Sequence, residues 1–369
     1  MNKLLTGFIS LLLLGAGVAW AHDDSDDDHG GAVRRFVTLP DGLRFPEGIT
    51  ANPATGEIYV ANFDGGNQNK LLRYSHHGQL LAARDFGFTP LLGLEFDRAN
   101  RKVYVLNVGD FTGVPGVESK IQRIAAHFNG STLIEDVLVI PVVGAPGDRT
   151  VVKGDGSADV IKFGVNARVP NAMAFDSHGN LYISDSFQGA IFRIDNVAGC
   201  VAPHCVATLV SHDPLLATPG FPPFGANGLA VSDDGKSLFI ANTGDDRILK
   251  LDLTKPALST GAVGVFAESI NGADGIVFDR HGRLWVCANQ NDEVVALNEK
   301  GRVVVRLGRF EGIGHDGAPK GLLFPASPVI VGDEMFVTNL AIPLTDAVGD
   351  EPEEDVKRWT VSRIKLPGL

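Results

Sequence analysis

Six segments of this chain carry one strand–turn–strand pattern, and a repeat of that kind admits few folds. EGITANPATGEIYVAN (47–62), LGLEFDRANRKVYVLN (92–107), NAMAFDSHGNLYISD (171–185), NGLAVSDDGKSLFIAN (227–242) and DGIVFDRHGRLWVCAN (274–289) align, and PASPVIVGDEMFVTN (325–339) is a degenerate sixth. Each joins an apolar run to a second run of β-branched and aromatic residues through a turn rich in Gly, Asn and Asp. Each second run ends in Asn or Asp: Asn62, Asn107, Asp185, Asn242, Asn289 and Asn339. A third run follows every unit, and a fourth follows five of them, as in GQLLAARDF (78–86) and GRVVVRLGRF (301–310). Units of four strands starting about fifty residues apart, with a longer gap between the second and third, fit radial repetition. The expected fold is all-β, a six-bladed β-propeller of four-stranded blades. RRFVTLP (34–40) precedes the first unit, and the last unit lacks a fourth strand. The N-terminal strand is therefore expected in the last blade beside TVSRIKLP (360–367), closing the ring and removing the open edge.

One repeat position stands out. The residue before the small one in each first strand is Glu47, Leu92, Asn171, Asn227 and Asp274. The first strand of a blade lines the central channel, and equivalent positions share one height there. Taken singly, Asn or Asp before Gly also suits a turn. Taken together, Glu47, Asn171, Asn227 and Asp274 form a ring of side-chain oxygens with two carboxylates. Such an all-oxygen set suits a hard divalent cation, Ca²⁺ above all, whereas zinc favours His or Cys.

The order and spacing of these motifs resemble the six-bladed propellers of the senescence-marker-protein, gluconolactonase and luciferin-regenerating family, and more distantly the paraoxonases. The matching pieces are Glu47-Gly48, Pro170-Asn171, Asn227-Gly228-Leu229 and Asp274-Gly275, and the resemblance spans roughly residues 34–367. It implies that Glu47, Asn171, Asn227 and Asp274 hold a divalent metal in the channel. Two positions depart from the family. Ala172 stands where Asp often follows the third-blade Asn, and Val169 stands where sugar-lactone members carry Arg. Both departures argue against a sugar acid as substrate. The regular strand pattern also resembles NHL-repeat propellers, many of which only bind partners.

If the chain is an enzyme, it is expected to be a metal-dependent hydrolase of a lactone or ester. The cation would polarise the carbonyl, and Asp274 would act as general base on a water. The alternative is a non-catalytic NHL-like binding propeller with a structural calcium. A lyase opening a cyclic ester by elimination would need a base on the channel wall, such as His, that the sequence does not place. His315 is a surface residue or an accessory proton carrier, and His178 and His281 fall in tight turns. No Gly-rich phosphate loop, G-x-S-x-G elbow or Cys/His signature occurs, which disfavours serine-nucleophile chemistry. Phe221, Pro222, Pro223 and Phe224 suggest an apolar wall at the channel mouth.

The remaining sequence bounds the setting. Residues 1–21 read as a signal peptide with an Ala19-Trp20-Ala21 cleavage site, 22–32 as an acidic disordered leader, and 33–369 as the propeller. A periplasmic or secreted protein is expected, with no membrane insertion after cleavage. The formal net charge is −12 with no basic stripe, so nucleic acid is not an expected partner. The expected partner is a small-molecule substrate, and the expected state a monomer. Cys200 and Cys205 read as a disulfide, Cys287 as a buried thiol. The insertion at 142–168 reads as loops over one face of the ring, and its KGDGSAD stretch as a solvated loop rather than a calcium loop.

Overall fold

Each repeat unit pairs its two strands as an antiparallel hairpin, and two further strands extend it into a four-stranded sheet. The computed structural model describes residues 32–109, 117–163, 167–345 and 348–368. The expected signal peptide and all of the acidic leader but Ala32 lie outside the described residues.

Blade one comprises Pro46–Asn52, Glu57–Asn62, Asn69–Tyr74 and Leu80–Gly87. Blade two comprises Leu91–Asp97, Lys102–Asn107, Lys120–Ala125 and Glu135–Val139. Blade three comprises Pro170–Phe175, Leu181–Asp185, Ala190–Ile194 and Thr208–His212. Blade four comprises Ala226–Val231, Ser237–Asn242, Arg247–Asp252 and Val263–Glu268. Blade five comprises Ala273–Phe278, Leu284–Ala288, Glu293–Leu297 and Val303–Leu307. Blade six comprises Pro325–Val331, Glu334–Asn339 and Thr360–Lys365, completed on its outside by Val33–Thr38.

The N-terminal strand runs antiparallel to the C-terminal one, Thr38 opposite Thr360 and Val33 opposite Ile364. The inner strands pack in sequence around the axis, and that of blade six packs against that of blade one. The ring is the six-bladed propeller expected from the repeat. Second strands are buried on both faces because sheets stack face to face, so their runs read as nearly continuous apolar residues. Trp285 and Cys287 of blade five, for example, pack with Met335 and Val337 of blade six.

Every inner strand breaks its pairing at one place. The register slips between Pro46 and Ile49, Leu91 and Leu94, Pro170 and Met173, Ala226 and Leu229, Ala273 and Ile276, and Pro325 and Pro328. A bulge there frees two residues from the ladder and re-aims the first of them. The small residue that follows has a steric cause. A Cβ on Gly48 would lie 2.1 Å from the carbonyl oxygen of Leu92, and one on Gly228 would lie 2.3 Å from that of Asp274. The glycine bulges of blades one, two, four and five thus seat the backbone of the next blade's equivalent residue.

The insertion is more regular than loops alone. It contains a hairpin of Arg149–Val152 and Ala158–Ile161, tied to blade four by an Arg149–Asp245 ion pair of 2.7 Å. KGDGSAD is its turn, where the Asp155 carboxylate accepts from Ser157 N at 2.9 Å. Cys200 and Cys205 are joined, with S–S 2.03 Å and Cα atoms 5.2 Å apart.

Candidate metal centre

The six bulges place Glu47, Leu92, Asn171, Asn227, Asp274 and Ala326 at one level of the channel. Glu47, Leu92, Asn171, Asn227 and Asp274 line a single cavity of about 200 Å³. The four oxygen-bearing residues read from the sequence therefore share one site, and all four are buried.

Neighbouring hydroxyls and amides fix how each side chain turns. Asn171 Nδ2 donates to Ser186 Oγ at 3.1 Å, and Asn227 Nδ2 donates to Thr243 Oγ1 at 2.9 Å. Ser186 Oγ in turn donates to the carbonyl of Ala226, and Thr243 Oγ1 to that of Ala273. Each hydroxyl so bonds its own blade's amide nitrogen to the backbone of the next blade. With its nitrogen engaged, the Asn171 amide leaves Oδ1 buried without a partner. Glu47 Oε2 and Asp274 Oδ1 are buried without a partner as well. Asn289 Oδ1, in the same cavity, is a fourth such atom. Orphaned buried oxygens are costly, and a native site with four of them calls for an occupant.

The two carboxyls are strongly perturbed. Burial, and then the charge of Asp274, hold the Glu47 carboxyl well above the ordinary carboxylate range. Burial pushes Asp274 up to about 7, against hydrogen bonds from Asn289 and Asn227 that lower it. Burial also drives the Cys287 thiol upward, reinforced by Asp274 and Glu47, so this thiol beside the site is a poor nucleophile.

Buried carboxylate and amide oxygens, four of them unpartnered, fit a hard divalent cation by donor chemistry. Among the described residues no three His, Cys, Asp or Glu side chains gather into a cluster that could hold a metal ion.

Asn289 and Thr243 also line the cavity and were not singled out by sequence reasoning. Asn289 Nδ2 donates to Asp274 Oδ2 at 3.0 Å. Its repeat equivalents do something else: the side-chain oxygens of Asn62, Asn107, Asp185, Asn242 and Asn339 accept nearby backbone N–H groups. Asn289 is the one member turned toward the site.

Above the oxygens the wall is apolar. Phe63, Pro222, Phe224, Phe324, Leu340, Ile342 and Leu344 line it. Of the four residues expected to form an apolar wall, Pro222 and Phe224 do so, whereas Phe221 and Pro223 point to solvent. The Asp292 carboxylate holds Phe324 in place by accepting its N–H at 2.8 Å. His315 sits exposed on the hairpin between blades five and six and does not line the cavity. His178 and His281 are exposed in their turns.

Comparison with known proteins agrees with the propeller fold. The model of the SMP-30/gluconolactonase/LRE-like region matches residues 223–308, which hold blades four and five with Asn227 and Asp274. No curated protein matches the chain. Among solved structures, a luciferin-regenerating enzyme is similar over 92% of this chain and 96% of its own, at 16% identity and a TM-score of 0.60. Regucalcin from Agrobacterium tumefaciens, described as a calcium-binding protein, is similar over 91% and 96%, at 17% identity and a TM-score of 0.53. A gluconolactonase from Xanthomonas campestris is similar over 92% and 95%, at 15% identity and a TM-score of 0.52. At these identities the likeness shows the fold. The resemblance read from the repeat motifs is matched by the family model over two blades.

Proposed function

We propose that this chain is a divalent-cation-dependent hydrolase of a carboxylic ester or lactone, with calcium as the preferred ion. The observation that carries this reading is the convergence of Glu47 Oε2, Asn171 Oδ1 and Asp274 Oδ1, all buried and unpartnered, among residues lining one cavity. The family match over residues 223–308 supports the reaction class.

Glu47, Asn171, Asn227 and Asp274 would hold the cation. A bound divalent cation supplies Lewis-acid polarisation of the substrate carbonyl. The chain's own residues do the remaining work. Ser186 and Thr243 fix the two Asn amides, so little reorganisation accompanies binding. The apolar wall excludes bulk water and strengthens the charges beneath it. Asp274 Oδ1 accepts the proton of the attacking water as the water oxygen bonds to the carbonyl carbon. The same proton passes to the leaving alkoxide when the ester C–O bond breaks, giving acid and alcohol. Asn289 holds the other carboxylate oxygen and so orients this base. Export to the periplasm or outside belongs to the same reading, supported by the apolar start of the chain and the Cys200–Cys205 disulfide.

The test measures Ca²⁺ binding by calorimetry and lactone hydrolysis with and without EDTA. We expect one tight site per chain, lost in Glu47→Gln with Asp274→Asn, and turnover abolished by EDTA. A wild-type protein that binds no divalent ion removes the reading. Binding without turnover of any ester or lactone leaves a calcium-holding binding propeller instead.

A further inference from the structure

The cavity wall also constrains what the site accepts. We infer that its ligand is a compact, uncharged, apolar lactone or ester rather than a polyhydroxylated sugar lactone, an inference of substrate class that rests on the hydrolase reading above. Three observations carry it. First, the wall is made by Phe63, Pro222, Phe224, Phe324, Ile342 and Leu344, drawn from the loops of blades one, four and six. Carbon surrounds the entrance on several sides, so hydroxyls on a sugar ring would meet no partner and lose their water. Second, among the described residues no Lys, Arg or His lines the cavity. Arg44 is engaged in a two-bond pair with Asp64 (2.8 Å each) and Arg149 in an ion pair with Asp245. The charged side chains that line the cavity are Glu47 and Asp274, both acidic. Third, about 200 Å³ is below the roughly 300–1,000 Å³ of ordinary ligand clefts, which limits the enclosed group to a short chain or a single ring.

The polar atoms lie at one level and the apolar wall above them. A lactone carbonyl directed to the oxygen ring would therefore lay its alkyl or aryl substituent against Phe224, Ile342 and Leu344. Each methylene so buried contributes about 0.8 kcal/mol, or roughly a fourfold gain.

The experiment uses the full chain with saturating calcium. Hydrolysis is measured for γ-lactones with side chains from methyl to hexyl and for glucono-1,5-lactone. Binding is measured in parallel by calorimetry for the non-hydrolysable 5-alkyl-2-pyrrolidinones of the same lengths. We expect kcat/KM and pyrrolidinone affinity to rise about fourfold per methylene until the cavity is full. We expect gluconolactone to fall at least a hundredfold below the best alkyl lactone. Leu344→Asn and Phe224→Asn should flatten the chain-length dependence with the fold intact by circular dichroism. If no lactone is hydrolysed but pyrrolidinone affinity still climbs with length, the hydrolase reading fails and the apolar class stands. A flat pyrrolidinone series, or gluconolactone turned over as well as the alkyl lactones, overturns the inference whatever becomes of the hydrolase reading.

Discussion

Asn289 donates its Nδ2 to Asp274 Oδ2 at 3.0 Å, while Asp274 Oδ1 is buried without a partner. One carboxylate is thus divided into a held oxygen and a free one, which is the geometry a ligand or base requires. Residues that orient a metal ligand typically hold ten- to hundredfold in metal affinity. We expect Asn289→Ala to weaken calcium binding by about that factor with the fold intact by circular dichroism. An unchanged calorimetric affinity would take Asn289 out of the site.

Gly228 seats the carbonyl of Asp274, with space for no Cβ at 2.3 Å. Gly228→Ala must push the inner strands of blades four and five apart or tilt Asp274 away. Overpacking of this sort costs roughly 1–3 kcal/mol. Urea unfolding should show that loss, and calcium affinity should drop with it because the displaced residue is a proposed ligand. Gly235→Ala offers a contrast: it sits at φ +68° in an open turn with nothing within 4 Å of a Cβ, so backbone strain alone should cost about 1 kcal/mol with no effect on calcium.

These two positions also show what the sequence could and could not disclose. The blades were legible because strand periodicity and turn residues recur six times, and Glu47, Asn171, Asn227 and Asp274 were legible because they share one repeat position. That same logic hid Asn289. It occupies a position whose other members accept backbone N–H groups, and only packing turns it toward Asp274. The need for Gly228 was hidden for a different reason: the bulge and the carbonyl it seats are relations between blades. The apolar wall was half visible. Pro222 and Phe224 lie in one segment, but Phe63, Phe324, Ile342 and Leu344 arrive from separate loops and carry no local signal.

Thr338 closes the ring. Its Oγ1 donates to the carbonyl of Glu47 at 2.8 Å and accepts from Ser327 N at 3.0 Å, joining blade six to blade one. Ser184 does the same between blades three and four, donating to the carbonyl of Asn227 at 2.7 Å. Thr338→Val keeps the shape and removes both bonds, leaving two buried backbone groups unsatisfied. The cost should be about 1–3 kcal/mol in thermal unfolding. A melting curve indistinguishable from wild type would show that the clip contributes no net stability.

Glu95 lines the opposite end of the channel, in a separate cavity walled by Met173, Phe175 and Phe278 among others. Burial pushes its carboxyl up to about 8, and the Phe175 N–H and the charge of Arg98 offset only part of that. A folded-state value above the ordinary one means that the folded protein holds this proton when the unfolded chain has released it. The stabilising contribution is therefore complete below about pH 4.5 and is lost as pH rises toward 8. Because Glu95 is half-buried, the loss should amount to on the order of 1–2 kcal/mol rather than the full shift. Glu95→Gln keeps the shape and cannot ionise. Melting temperatures of wild type and Glu95→Gln compared from pH 5 to 9 should diverge, with wild type falling further as pH rises. Taking the difference cancels the other titrating groups, Glu47 and Asp274 included. Parallel curves for the two proteins would mean that Glu95 ionises normally and that this end of the channel is wet.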